Sequence, residues 1–137
     1  MIRKMNELRI NLLYNGISIN ATFRNRINIL SGYSGTGKTL LMQAAELFCM
    51  NNNIKCTYCD FRCAQLSEEQ IENLCKNSQV IMFDNADLYL TNSLLNKFRT
   101  QDKIIIICMK NTCKLDMYNV QKYLVTYENL SLTIEEM

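Results

Sequence analysis

The chain of 137 residues has no histidine, no proline and no tryptophan, and only four glycines. It also lacks any apolar run of the roughly 18 residues that a membrane-spanning helix requires. The opening stretch Met1-Ile-Arg-Lys-Met-Asn-Glu7 has no apolar segment of the kind a secretory signal carries. The expectation is a cytoplasmic protein. Charge of one sign is missing too: 15 basic residues meet 13 acidic ones, for a net charge of +2. Bulk charge therefore predicts no nucleic-acid surface. Basic residues do gather near the start, at Arg3, Lys4, Arg9, Arg24 and Arg26. Solvated strand faces explain them more simply than contact with DNA or RNA, so a nucleic-acid partner has little support.

In a cytoplasmic protein the seven cysteines read as free thiols. Cys56-x-x-Cys59-x-x-x-Cys63, with Cys75 further on, offers enough thiolates for zinc. The missing histidines and the absence of paired C-x-x-C knuckles argue against it. Cys56 and Cys59 also fall in an expected strand, where residues three apart point to opposite faces. Packing in the core is the expected role.

Three of the four glycines fall in Gly32-Tyr-Ser-Gly-Thr-Gly-Lys38-Thr39, which spells G-x-x-x-x-G-K-[ST], the phosphate-binding loop of nucleoside-triphosphate-binding proteins. Glycines at 32, 35 and 37 let successive backbone N–H groups turn inward around a phosphate. Lys38 would reach the β- and γ-phosphates, and the Thr39 hydroxyl would hold Mg²⁺. Ser34, Thr36 and Leu40 complete the set expected to bind nucleotide. The flanks fit: Arg26–Ser31 reads as a strand and Leu40–Phe48 as uninterrupted helix formers. Strand, glycine loop and helix are the context the motif needs, with the helix N-terminus aimed at the anion.

Val80-Ile-Met-Phe-Asp84 is four apolar residues ending in a carboxylate. Such a run reads as a buried parallel strand. Asp84 at its C-terminal end would support the metal from the edge where open α/β sheets bind ligands.

The remaining pattern alternates strand and helix. Leu8–Tyr14, Asn15-Gly16 and Ile17–Phe23 form a hairpin signal, because Asn-Gly suits a type I′ turn. The hairpin (residues 8–23) is expected beside the main sheet. A helix is expected over 38–51, ended by Asn51–Asn53, then a strand over 54–59. Ser67 with Gln70 reads as a capping box for a helix reaching about Lys76. Thr91 or Asn92 opens another helix to about Arg99. Lys103–Met109 is the most apolar strand, a short helix is expected near 115–121, and Tyr123–Tyr127 is the last parallel strand. Leu130–Ile134 would add an edge strand. The expectation is one α/β domain over 1–137, a three-layer sandwich around a mainly parallel sheet with helices on both faces.

With both motifs placed, the chain resembles the P-loop NTPases, and most of all the branch that includes the AAA and ABC-type ATPases. In that branch an extra strand, here 54–59, separates the phosphate-loop strand from the strand bearing the acid. The resemblance implies sheet order 5-1-4-3-2, with ATP and Mg²⁺ as ligands. The strand before Lys110-Asn111 looks like the AAA sensor-1 strand, which carries Asn111 over as the residue reaching the γ-phosphate or the attacking water.

Departures from the family bear on activity. The position after Asp84 usually holds a Glu that serves as general base, but here it is Asn85, and an amide takes no proton at neutral pH. Asp87 is the nearest replacement, with a turn cap as its alternative role. Asp60 is another candidate, or a ligand for a substrate hydroxyl as in nucleoside-kinase relatives. Leu66-Ser-Glu-Glu-Gln70 resembles the ABC signature without its glycines, and it lies too close to Asp84. No arginine follows Asn111 and no lid fits, leaving Arg62 and Arg99 as possible charge stabilisers.

The functional expectation is an ATP-binding protein with Lys38, Asp84, Asp87 and Asn111 as catalytic candidates. It would be a weak ATPase, or one activated by a protein partner or self-assembly. The alternatives are an ATP-gated binding module and a small phosphotransferase.

Overall fold

The computed structural model describes residues 6–137 other than 33, 34 and 36, and, of the remainder, all side chains but that of Cys113. Ser34 and Thr36, expected to bind nucleotide, lie outside the described residues. Eight strands form a single sheet: β1 (Leu8–Tyr14), β2 (Ile17–Phe23), β3 (Ile27–Ser31), β4 (Cys56–Cys59), β5 (Val80–Phe83), β6 (Ile104–Cys108), β7 (Val120–Glu128) and β8 (Ser131–Glu136). Three helices accompany them: α1 (Lys38–Asn51), α2 (Glu68–Leu74) and α3 (Asn92–Arg99).

The spatial order is β1-β2-β8-β7-β3-β6-β5-β4. The stretch from β7 to β4 is parallel throughout and carries the expected succession of five strands. The sheet as a whole differs from the expectation, because it is longer and mixed. The hairpin does not lie beside it but joins it. β2 pairs in parallel with β8, and β8 pairs antiparallel with β7. β8 is therefore an interior strand, where an edge strand was expected.

Period-two alternation builds the two cores. On β5 and β6, Val80, Met82, Ile104 and Ile106 face one way, into a core shared with Leu41, Met42, Ala44, Ala45 and Cys49 of α1. Ile81, Phe83, Ile105 and Ile107 face the other way, against Ile71 of α2 and Leu94, Leu95 and Phe98 of α3. Strands apolar on both faces are what a covered parallel sheet demands.

The helix α1 touches both edge strands, β1 and β4. Eight strands laid flat would span about 34 Å, whereas a helix of this length spans about 21 Å. The sheet must therefore curl around α1.

The local signals act as their chemistry predicts. Asn15 and Gly16 both take positive φ, 50° and 79°, in the β1–β2 turn. Asn53 at φ 57° stops the chain after α1. Ser67 and Gln70 form the reciprocal capping box of α2, at 3.1 and 2.8 Å. Thr91 caps α3 through the N–H of Leu94.

The helix expected near 115–121 is not formed. A single 3₁₀ turn, Thr112–Lys114, stands before it instead. Asn119 at φ 56° is incompatible with a helix, and Arg99 takes the carbonyls of Asp116 and Tyr118, fixing this stretch as a loop.

Candidate functional site

The C-terminal ends of the parallel strands converge on one cleft of about 690 Å³. β3 delivers Gly32, β5 delivers Asp84 and Asn85, and β6 delivers Cys108, Met109 and Lys110. Gly35, Gly37, Lys38, Thr39 and Leu40 line the same cleft.

The loop enters α1 through Gly37, whose φ is 97°. A Cβ at that position would meet Leu132 Cδ1 at 2.8 Å and Tyr127 Cβ at 3.6 Å. Glycine is needed there both for its conformation and because β7 and β8 press against the loop. Among the described residues no side chain caps the helix N-terminus. Lys38 folds back on the loop and donates Nζ to the carbonyl of Gly32 at 2.5 Å.

Asp84 is 4% exposed. Its Oδ2 accepts from Thr39 Oγ1 at 3.1 Å and from the Tyr58 hydroxyl at 2.7 Å. Its Oδ1 accepts from the backbone N–H of Asn85 at 3.0 Å. Cys108, at the end of β6, lines the cleft beside this carboxylate. The backbone is fixed as well: the Asp84 N–H reaches the Cys59 carbonyl, and the Tyr89 hydroxyl donates to the Asp84 carbonyl at 2.6 Å.

Burial, then the bond to Asp84, pushes the Tyr58 hydroxyl well above the ordinary phenol value, so it remains a donor. Burial, with the Asp84 charge next, pushes Cys108 up to about 11, so it remains a thiol. The donor set suits Mg²⁺: the Thr39 hydroxyl and the Asp84 carboxylate are oxygen ligands, as a hard cation prefers.

Other expected site residues have different employment. Asp87 lines the cleft, but both its oxygens accept backbone N–H groups, from Lys110 at 2.7 Å and from Asn111 at 3.0 Å. It joins the loop after β5 to the loop after β6. Asn111 is exposed and does not line the cleft, whereas its neighbour Lys110 does. Asn85 lines it too, at φ 53°.

Asp60 lies off the cleft and caps the 3₁₀ turn Phe61–Gln65. Its Oδ2 pairs with Arg62 Nη2 at 2.9 Å, and that guanidinium holds its carboxyl below the usual range. Arg99 is at the opposite end of the sheet. Cys59, Cys63 and Cys75 are buried on one side of the sheet and Cys49 and Cys108 on the other, while Cys56 is half-buried.

Tyr58, which bonds Asp84, and Cys108, which lines the cleft, are residues that motif reading missed. Each is at or next to the C-terminal end of a strand close to β5. Parity in the parallel register, Tyr58 beside Met82 and Phe83 beside Ile107, was the available signal.

No protein-family model matches the chain, and no curated protein matches it in sequence. Among solved structures the fold is similar to a DNA replication initiation factor, at 21% identity and a TM-score of 0.52. It is also similar to an AMPPCP-bound DnaA from Aquifex aeolicus, at 24% identity and a TM-score of 0.51. Each match covers 64% of this chain and 32% of the other, so the chain spans about a third of the length of the proteins it matches. Likeness at this level concerns the fold alone.

Proposed function

We propose that the chain binds a nucleoside triphosphate with Mg²⁺, ATP being the leading candidate, in the cleft bounded by Lys38, Thr39 and Asp84. The observation that carries this reading is the 3.1 Å hydrogen bond from Thr39 to Asp84. It joins the last residue of the glycine motif to the strand-end carboxylate, two positions 45 residues apart. A hydroxyl whose proton is given to a buried carboxylate keeps its oxygen lone pairs for a cation. The glycine loop, the helix N-terminus and Lys38 supply an anion cradle next to it. Bound nucleotide would draw Lys38 from the Gly32 carbonyl to the phosphates. The AMPPCP-bound DnaA among the similar folds is consistent with this reading.

Hydrolysis by the chain alone is expected to be slow. Asn85 cannot act as a base, and Asp87 has both oxygens committed to backbone N–H groups. Asp60 is engaged by Arg62, which leaves the phosphotransferase alternative with the least support. The arrangement favours a nucleotide-binding protein whose turnover is weak or partner-activated, and next to it an ATP-gated binding module. In the second reading the Asp87 tie between the two loops would report nucleotide to a partner.

The test is Mg·ATP binding by calorimetry together with phosphate release under multiple turnover, with Lys38→Ala as control. Saturable binding that Lys38→Ala weakens by two orders of magnitude or more is expected, with little release. Equal affinity in the variant would refute the assignment. Rapid Lys38-dependent release would make the chain a self-sufficient ATPase.

A further inference from the structure

Where the parallel strands begin, at the opposite edge of the sheet, a second cleft of about 670 Å³ opens between the end of α3 and the first residues of β3 and β7. Four cations line it: Arg24, Arg26, Arg99 and Lys103. Lys103 is 8% exposed and gives its ammonium to the carbonyls of Cys75, Lys76 and Ser78 at 3.1, 3.1 and 2.6 Å. Arg99 donates to the carbonyls of Tyr118 and Asp116 and to Asn96, with its guanidinium 4.1 Å from the Tyr118 ring centre. Among the described residues no carboxylate pairs with either cation. Arg24 and Arg26 do have acids. Glu7 stands 3.6 Å from Arg24 but is shared with Arg9 at 3.3 Å, and Asp102 stands 2.9 Å from Arg26 Nη2. Arg26 Nη1 is buried and has no hydrogen-bond partner among the described residues.

A buried ammonium answered only by neutral carbonyls is a costly arrangement, and burial pulls Lys103 below the ordinary lysine value. A guanidinium arm without an acceptor adds to the cost. An anion in the cleft would counter the net positive charge that these side chains place around it. Asn25 and Asn119, which carry side-chain amides, also line the wall. Arginine forks with neutral donors beside them match the oxygens of a phosphate group. The volume lies within the roughly 300–1,000 Å³ of small-ligand pockets. Glu7 and Asp102, paired to the cleft's own arginines, interrupt the basic surface that a polymer would need.

We propose that this cleft binds a small phosphate-bearing anion, independently of the glycine loop. The experiment uses the full chain carrying Lys38→Ala, which disables the loop. Inorganic phosphate, pyrophosphate and a sugar phosphate are titrated in turn, followed by backbone amide NMR. Saturable shifts at Asn25, Thr100 and Asn119 are expected. Arg24→Gln, at an exposed position, and Arg26→Lys, which keeps the charge but loses the fork, should each weaken binding at least tenfold. Saturation by the inorganic ions would assign a free-phosphate site, and saturation by the sugar phosphate alone an ester site. Absence of saturable shifts with all three, or shifts indifferent to both substitutions, would overturn the proposal. So would binding of a single-stranded oligonucleotide with none of the small anions. Because Lys38 is already replaced, failure here leaves the nucleotide assignment untouched, and the reverse also holds.

Discussion

A carboxylate inside a protein needs its lone pairs answered, and Asp84 has donors on both oxygens, from Thr39, Tyr58 and Asn85. Hydrogen bonds to a charged group contribute about 1.5–3 kcal/mol each. Tyr58→Phe keeps the ring and deletes one of them, so it should lower unfolding stability by roughly that amount. Urea denaturation would measure it, and an unchanged midpoint would show that the phenol contributes nothing to holding Asp84. Thr39 and Asp84 were legible in the sequence because each belongs to a motif with a fixed chemical role. Tyr58 was not. A tyrosine in a short strand reads as part of an apolar pattern, and only the placement of β4 beside β5 brings its hydroxyl to the acid.

Turns divide the legible elements from the rest. Asn15-Gly16 announced its hairpin because both residues accept positive φ readily. The β7–β8 connection uses the same two-residue geometry with Asn129 at φ 52° and Leu130 at φ 58°. A leucine gives no such signal, so the tight turn from β7 into β8 is not announced by the sequence. A left-handed conformation costs an L-residue about 1–2 kcal/mol, and Leu130 is 62% exposed, so little burial compensates. Leu130→Gly should therefore raise stability by about 0.5–1 kcal/mol after glycine's extra chain entropy is deducted. Thermal unfolding would register this as a higher midpoint; a lower one would mean that the leucine side chain contributes more than its exposure suggests. The bounds of α1 were readable from its glycine start and asparagine stop. The stretch before β7 was not, since Arg99 reaches it from an element far away in sequence.

Across the whole molecule, buried thiols make stability depend on pH. Burial pushes Cys63 and Cys108 up to about 11 from an ordinary 9.0. Below pH 9 both forms of the chain keep these protons. Between pH 9 and about 11 the unfolded chain loses them while the native chain keeps them, so stability falls as pH rises. Lys103 works in the opposite direction, because its lowered value means that alkali relieves a buried charge. Denaturation midpoints between pH 8 and 11 should decline, and Cys108→Ser should flatten the decline. A slope unaffected by that change would assign the loss to other groups.

The pairing of β2 with β8 joins the first hairpin of the sheet to its last strand. The register sets Ile19 beside Leu132, two residues more than a hundred positions apart, both fully buried. In synthesis β1 and β2 precede β8, yet the edge on which they dock exists only once β8 has emerged. Until then the apolar side of the hairpin, with Leu8, Ile10 and Phe23, has no sheet to join. Contacts at such separation slow folding, because the loop must close before it is rewarded. The hairpin thus waits through more than a hundred residues of chain for the strand it pairs with, and closure of this side of the core is timed by β8.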